Sequence, residues 1–285
     1  MIIRVRRIAA VCALGTALTA LAACSAPQPV RAPRAAGSTV PSASPAAGPP
    51  TLAPGPAGLT PVFEHGPRSG DRAIALTFDA DMTADQGPRA EQGERFDNPG
   101  LIAALRELKV PATVFMTGRW AEQYPRQARS LGRDPLFEIA NHSYSHYAFT
   151  EDCYGLPTVD EERMRADVER AYAAFRAAGV RDAMPYFRFP GGCHDTRALR
   201  ALIPAGVTAV QWDVVSGDAF ATDAGAVVRD VLDGVRPGSV VVMHCTLSAA
   251  PTTERVVREV VPELRGKGFR FVKVSELIGA SGTRR

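Results

Sequence analysis

The sequence predicts an α/β fold on a mostly parallel sheet, open or closed into a barrel. Two observations predict it. From Arg72 onward, short apolar or β-branched runs alternate with helix-like segments about seven times. The residues with chemistry to offer also fall just after the strand-like runs. Asp79 and Asp81 follow IALTF, His142 follows LFEIA, Arg188 lies in YFRF, Asp213 and Asp218 follow VQW, and His244 follows VVVM. In a βα barrel the loops after the strands gather at one face and build the site, so residues far apart in sequence would converge there. The sequence has no close internal repeat and no phosphate-binding glycine loop.

The first strand is expected at Arg72–Phe78, where RAIALTF is β-branched and apolar. NPGLIAALRELK reads as a helix, with Asn98 able to accept from a free N–H of the first turn and Pro99 standing where no N–H is needed. Pro111–Thr117 is strand-like, WAEQYPRQARSLG is a helix interrupted by Pro125, and Leu136–Ala140 is strand-like. TVDEERMRADVERAYAAFRAAG is the clearest helix: Thr158 and Glu161 fit a capping box, and Gly179 closes it. There follow strands at YFRF and VTAVQW, a helix at DAGAVVRDVLDGV, the strand SVVVM, a helix at TERVVREVVPELRGKG and the strand FRFVKV.

Composition separates the two ends of the chain. Residues 1–23 carry Arg4, Arg6 and Arg7 ahead of an apolar stretch from Ile8 to Ala23. That stretch falls short of the roughly 18 to 20 residues that span a bilayer, so it reads as a signal peptide. Residues 24–67 are dominated by Pro, Ala, Gly and Ser. Such a stretch buries too little apolar surface to order itself and reads as a semi-rigid, disordered linker ending near His65. The remaining residues, 68–285, suit one domain. The formal charge of +3 is carried by the three signal arginines, which leaves the rest near neutral and without a basic block. Nucleic-acid binding has no electrostatic support. Of the five cysteines, Cys12 leaves with the signal. Cys153 and Cys193 lie in loop-like, Gly/Pro-flanked sequence and are the expected pair in an oxidising compartment. Cys245 is left over, either to pack beside His244 or to serve in a different pairing.

NHSYSH, Asn141–His146, places two of the five histidines four residues apart. On a helix or tight loop that spacing can aim both imidazoles at one ion, and a catalytic zinc keeps one position open for water. By itself the pair reads equally well as chance or as a structural hydrogen bond. A third ligand is needed, and FDADMT offers Asp79 and Asp81, which could divide metal binding and proton transfer between them. An Asp after a strand also serves as a turn former or cap.

These motifs, in this order, resemble the polysaccharide deacetylase family, the NodB-homology carbohydrate esterases. TFDAD is similar to the family's Thr-Phe-Asp-Asp motif, HSYSH to His-x-x-x-His, RFPGG to Arg-x-Pro-aromatic-Gly, WDVVSGDAF to the Asp-x-x-Asp-Trp region and VMH to Leu-x-His, over about Arg72 to Leu277. LAAC before Cys24 resembles a bacterial lipobox. The resemblance implies a distorted (β/α) barrel of about seven strands, holding one divalent metal, zinc with cobalt or nickel as alternatives. It implies Asp81, His142 and His146 as metal ligands and Asp79 as general base, with a swap of the two aspartates as the alternative. Ala80 separates the two carboxylates, and the loop is expected to absorb that extra residue. The remaining implied roles are Arg188 orienting Asp79, a backbone N–H at Gly191 holding the oxyanion, His244 as general acid and Asp218 orienting it. The metal would acidify a water and polarise the acetyl carbonyl.

The sequence departs from the pattern at Gly191, where the third motif has an aromatic, and at Val215, Ala219 (with Phe220 adjacent) and Val242. The expected function is metal-dependent removal of acetyl groups from N-acetylated cell-envelope glycan, peptidoglycan or a chitooligosaccharide. The alternatives are an O-acetyl esterase of the xylan type and a non-catalytic glycan-binding lipoprotein. The expected protein is a monomer, exported and lipid-anchored through Cys24 to the outer face of the cell membrane, or secreted.

Overall fold

The computed structural model describes residues 48–282. The signal sequence, Cys24 and the linker up to Ala47 lie outside the described residues. The strands are β1 (Val62–Phe63), β2 (Ala73–Ala80), β3 (Ala112–Met116), β4 (Phe137–Asn141), β5 (Tyr186–Phe187), β6 (Thr208–Val210), β7 (Val214–Val215), β8 (Val240–His244) and β9 (Arg270–Phe271). The helices are α1 (Gln86–Glu91), α2 (Pro99–Glu107), α3 (Gly118–Gln123), α4 (Pro125–Gly132), α5 (Glu161–Ala178), α6 (Thr196–Ala201), α7 (Ala224–Gly234), α8 (Thr253–Gly266) and α9 (Val274–Gly282).

The sheet runs β1-β6-β5-β4-β3-β2-β8-β7, with β9 against the start of β2, and the pairings of these strands are parallel. Among the described residues nine strands form where about seven were expected. The additional ones, β1 and β7, are two residues long, too short for a period-two pattern to register. Only Gln211, Trp212 and Asp213 separate β6 from β7, yet β6 pairs with β5 and β7 with β8. The stretch 208–215 thus ties the two limbs of the sheet together, and the sheet has to curl into a distorted barrel.

Alternation along β2 divides the core in two. Ile74, Leu76, Phe78 and Ala80 pack outward with residues of α2, α3, α5 and α8. Ala73 and Ala75 face inward, with Phe115, Ala140, Tyr186, Val210 and Val240. Successive side chains of a strand point to opposite faces, so Asp79, next in the inward series after Thr77, is carried to the inside of the barrel.

The first residues of the barrel precede the expected boundary at Arg68. Val62 and Phe63 pair with Ala209 and Val210, Gly66 N–H donates to the Gly238 carbonyl, and the Tyr186 hydroxyl donates to the Pro50 carbonyl. The Pro-rich composition hid this segment, because an edge strand and a backbone-satisfying strap need few apolar side chains.

Most helix signals act as read. Asn98 accepts from Leu101 N–H at 3.0 Å, Pro125 divides α3 from α4, and Gly179 closes α5 at φ 90°. The capping box does not form: α5 starts after Asp160, and Thr158 instead donates to the Thr150 carbonyl, closing the loop 148–158. That loop is tied to the turn after β5 by the disulfide Cys153–Cys193, and Cys245 is a free, buried thiol. Replacing both bonded cysteines by alanine should cost about 2–4 kcal/mol, as expected for releasing a loop of this length. Urea unfolding against the parent chain checks this.

Candidate active site

Two carboxylates separated by one strand residue share a face, and Asp79 and Asp81 do so at the C-terminal end of β2. Ala80 between them packs outward into the core as the last residue of β2, and Asp81 follows it directly. The extra residue is therefore absorbed by continuing the strand and not by a loop, because adjacent aspartates would have pointed to opposite faces.

Arg188, just past β5, is fully buried and grips Asp79. Its Nη1 donates to Asp79 Oδ1 at 2.7 Å, Nε to the Val210 carbonyl at 3.2 Å and Nη2 to the Gln211 carbonyl at 3.4 Å. The guanidinium lies 3.9 Å from the centre of the Phe115 ring. Burial pulls the Arg188 pKa down and the Asp79 charge opposes it. The other Asp79 oxygen, Oδ2, is 3.7 Å from His142 Nε2.

The histidine pair sits on a strained turn. Ser143 has φ 70° and His146 φ 58°, a region that side chains other than glycine seldom adopt. The turn is held by Ser143 N–H donating to Asn141 Oδ1 and His146 N–H donating to Ser143 Oγ. His142 Nδ1 is 3.0 Å from the Arg188 carbonyl. A carbonyl can only accept, so Nδ1 carries the proton and Nε2 keeps its lone pair. His146 Nε2 is 3.7 Å from Asp81 Oδ2, and the two rings are 5.0 Å apart. Burial lowers both pKa values, that of His146 to about 4, and keeps the imidazoles neutral. Burial alone would raise Asp81; His146, His244, the Thr246 hydroxyl that donates to Asp81 Oδ1, and His142 together hold it low.

His244 closes β8, in register with Asp79 on the neighbouring strand. Its Nδ1 is 2.8 Å from Asp218 Oδ1, and its N–H donates to Asp218 Oδ2 at 2.7 Å. Ser216 and Thr253 hydroxyls also donate to this carboxylate. Burial would lower His244 and raise Asp218, but their contact outweighs it in both: Asp218 lies below the usual carboxylate range and His244 is raised to about 9.

Gly191 lies in the 3-10 turn Pro190–Gly192 with φ 65°. A Cβ there would meet Cys153 Sγ at 2.6 Å, so the disulfide fills the space a side chain would need. His194 stacks on Phe189, with ring centres 5.2 Å apart. Cys245 packs, its thiol pushed up to about 12 by burial, and its N–H donates to the Asp79 carbonyl. Asp213 is not brought to the centre: it accepts from Arg68, Ser239 and Val240 N–H. The sequence reading missed Thr246, Ser216 and Thr253. Thr246 sits two residues past His244, a spacing that could have flagged it; the other two carried no signal.

Among the described residues no three or more His, Cys, Asp or Glu side chains already surround a single point. What stands at the barrel mouth is two imidazole–carboxylate pairs side by side, His142–Asp79 and His146–Asp81. Their chemistry suits a divalent cation. Two neutral imidazole nitrogens and a depressed carboxylate are zinc-type donors, and an Nδ1–H held by a backbone carbonyl is the usual way a ligating histidine is oriented.

The profile of the polysaccharide deacetylase family matches residues 66–210, half of the chain, which contain both aspartates, both histidines of the turn and Arg188. The chain belongs to the polysaccharide deacetylase family. A chitooligosaccharide deacetylase of Bradyrhizobium sp. (strain ANU 289) is 27% identical over 224 residues, covering 75% of this chain and 94% of that one. A peptidoglycan-N-acetylglucosamine deacetylase of Bacillus cereus is 28% identical over 214 residues, 74% and 70% of the two chains. Among solved structures, a CE4 family pseudoenzyme from Bacillus anthracis superposes with a TM-score of 0.62 at 19% identity, covering 80% of this deacetylase-family chain and 70% of that one. That likeness concerns the fold.

Replacing Asp218 by Asn should lower the His244 pKa from about 9 to the ordinary histidine value or below, since burial then acts with less opposition. NMR titration of the ring checks this. Arg188→Met leaves the Asp79 carboxylate buried without its partner and should destabilise the fold by about 3–5 kcal/mol, read by urea unfolding.

Proposed function

We propose that this chain is a metal-dependent hydrolase that removes acetyl groups from N-acetylated cell-envelope glycan, peptidoglycan or a chitooligosaccharide. One observation carries the reading. Asp79, gripped by Arg188, and His244, gripped by Asp218, stand in register on adjacent strands, beside two neutral histidines. A site that only bound glycan would not need a base and an acid each braced by a buried counter-charge. The names of the relatives supply the glycan class.

Asp81, His142 and His146 would hold the divalent ion, zinc or alternatively cobalt or nickel; when bound, it acidifies water and polarises the acetyl carbonyl. Asp79 is the base. Arg188 occupies Oδ1, so Oδ2 is the oxygen free to take the proton of the attacking water. The water oxygen joins the acetyl carbon. The C–N bond breaks as His244 delivers a proton from Nε2 to the leaving amine nitrogen, because Nδ1 is engaged by Asp218. The backbone at Gly191 is assigned to the oxyanion. Acetate and a free amino sugar leave. An O-acetyl ester would follow the same course with an alcohol leaving.

The reading also takes the chain as exported, its Cys24 lipidated at the outer face of the membrane. The disulfide Cys153–Cys193 supports this, since such bonds persist outside the cytosol. Loss of palmitate labelling in Cys24→Ala would be the expected result.

The deciding assay is acetate release by the chain lacking residues 1–23. Chitooligosaccharides, peptidoglycan and acetylated xylan are compared with zinc, with cobalt and after chelation. Release from the amide substrates that chelation abolishes and zinc restores is expected; release from xylan alone would make it an O-acetyl esterase, and none at all would refute the hydrolase. Asp79→Asn should lower kcat by roughly 10²–10⁴. A protonated His244 is needed for leaving-group departure, so kcat should hold up to, and fall as pH rises through, about 9. Asp218→Asn should move that fall to lower pH.

A further inference from the structure

Among the described residues the exposed large hydrophobic side chains are Tyr154, Ile203, Val215 and Phe220. Isolated exposed apolar residues are ordinary on protein surfaces. Two features set Tyr154 and Phe220 apart. Both are held in left-handed backbone, φ 52° and 60°, which bulky residues rarely adopt. Both also stand on loops tied to site-bearing segments, Tyr154 to the turn beyond Arg188 and Phe220 to the turn that carries Thr246.

Tyr154 follows Cys153, whose disulfide to Cys193 straps its loop onto the turn after β5. The position of a Cβ on Gly191 is 3.3 Å from Tyr154 Cδ2, and Gly191 is three residues beyond Arg188, the partner of Asp79. Phe220 lies two residues beyond Asp218, the partner of His244. Its N–H donates to the Ala249 carbonyl, and Ala249 N–H donates back to Thr246, which holds Asp81. Val215, also exposed, ends the short strand leading to Asp218. Tyr154 is 87% and Phe220 83% exposed. Neither ring buries enough surface to stabilise the fold, yet each is fixed by a strap or a hydrogen-bonded turn.

We propose that Tyr154 and Phe220 are specificity-determining sugar platforms, Tyr154 on the side of the base and Phe220 on the side of the acid. Each stacks on the apolar face of a pyranose ring flanking the residue whose acetyl group is removed. The ligand is a chain of β-linked N-acetylhexosamines long enough to reach both rings. The absent side chain at Gly191 leaves room for the disulfide-strapped loop that delivers Tyr154. This inference rests on the deacetylase reading and adds to it the residues that set the preference for longer chains.

The test compares zinc-loaded wild type, Tyr154→Ala, Phe220→Ala and, as a surface control remote from the site, Ile203→Ala. For each, kcat/KM is measured on the N-acetylglucosamine dimer and hexamer. The hexamer-to-dimer ratio should fall about tenfold in each aromatic variant, chiefly through KM, and stay at the wild-type value in Ile203→Ala. A ratio within about twofold of wild type in both aromatic variants overturns the proposal. Affinity electrophoresis in glycol chitin is run alongside. If wild type releases no acetate, the hydrolase reading fails by itself. The platforms then stand if retardation by glycol chitin is lost in Tyr154→Ala and Phe220→Ala, and fall if the three variants migrate with wild type.

Discussion

The buried ion pair of Arg188 and Asp79 is the constraint on which the rest of this structure depends. A guanidinium without solvent contact is tolerable only when its donors are used, and here a carboxylate and two backbone carbonyls accept from it while an aromatic face covers it. Those carbonyls belong to Val210 and Gln211, where the chain passes from β6 toward β7. The pair therefore fixes the barrel where its two limbs meet. Its backbone carbonyl also orients His142. Removing Arg188 would disturb a charge, a sheet junction and a histidine at once.

A second braced pair, His244 and Asp218, is built on the same logic with the opposite outcome. Arg188 supplies Asp79 with a permanent countercharge. Asp218, satisfied by four donors, keeps a charged imidazole in a site whose burial would otherwise neutralise it. The histidines of the turn lack such an anchoring bond to a carboxylate and are driven neutral by burial. Three histidines within one barrel mouth thus differ in protonation for reasons visible in their partners. That difference separates lone-pair donors from a proton donor.

The strained positions cluster accordingly. Ser143 and His146 in the histidine turn, and Tyr154 and Phe220 on the flanking loops, account for four of the six non-glycine residues in left-handed backbone among the described residues. Backbone strain of this kind persists where surrounding structure over-determines it. The surroundings here are a disulfide, hydrogen-bonded turns and the ends of parallel strands.

Much of this was legible in the sequence. The alternation of runs gave the α/β class. Asn98, Pro125 and Gly179 marked their helix boundaries through local chemistry, and the order of the motifs pointed to the family. These signals survive in one dimension because capping, turn formation and strand periodicity act over a few residues. Tertiary structure alone decided the rest. β1 and β7 are strands only because β6 and β8 pair with them. Thr158 was drawn from its cap into a loop closure, and residues 48–67 were recruited as a strap and edge strand. Thr246 and Thr253 became site residues through contacts 165 and 35 positions away, and Ser216 through a contact within its own loop. The spacing Asp79-Ala80-Asp81 reads as an irregularity along the chain. In the barrel it is what lets both carboxylates face inward, because the two sides of a strand are distinguished only when a sheet has an inside.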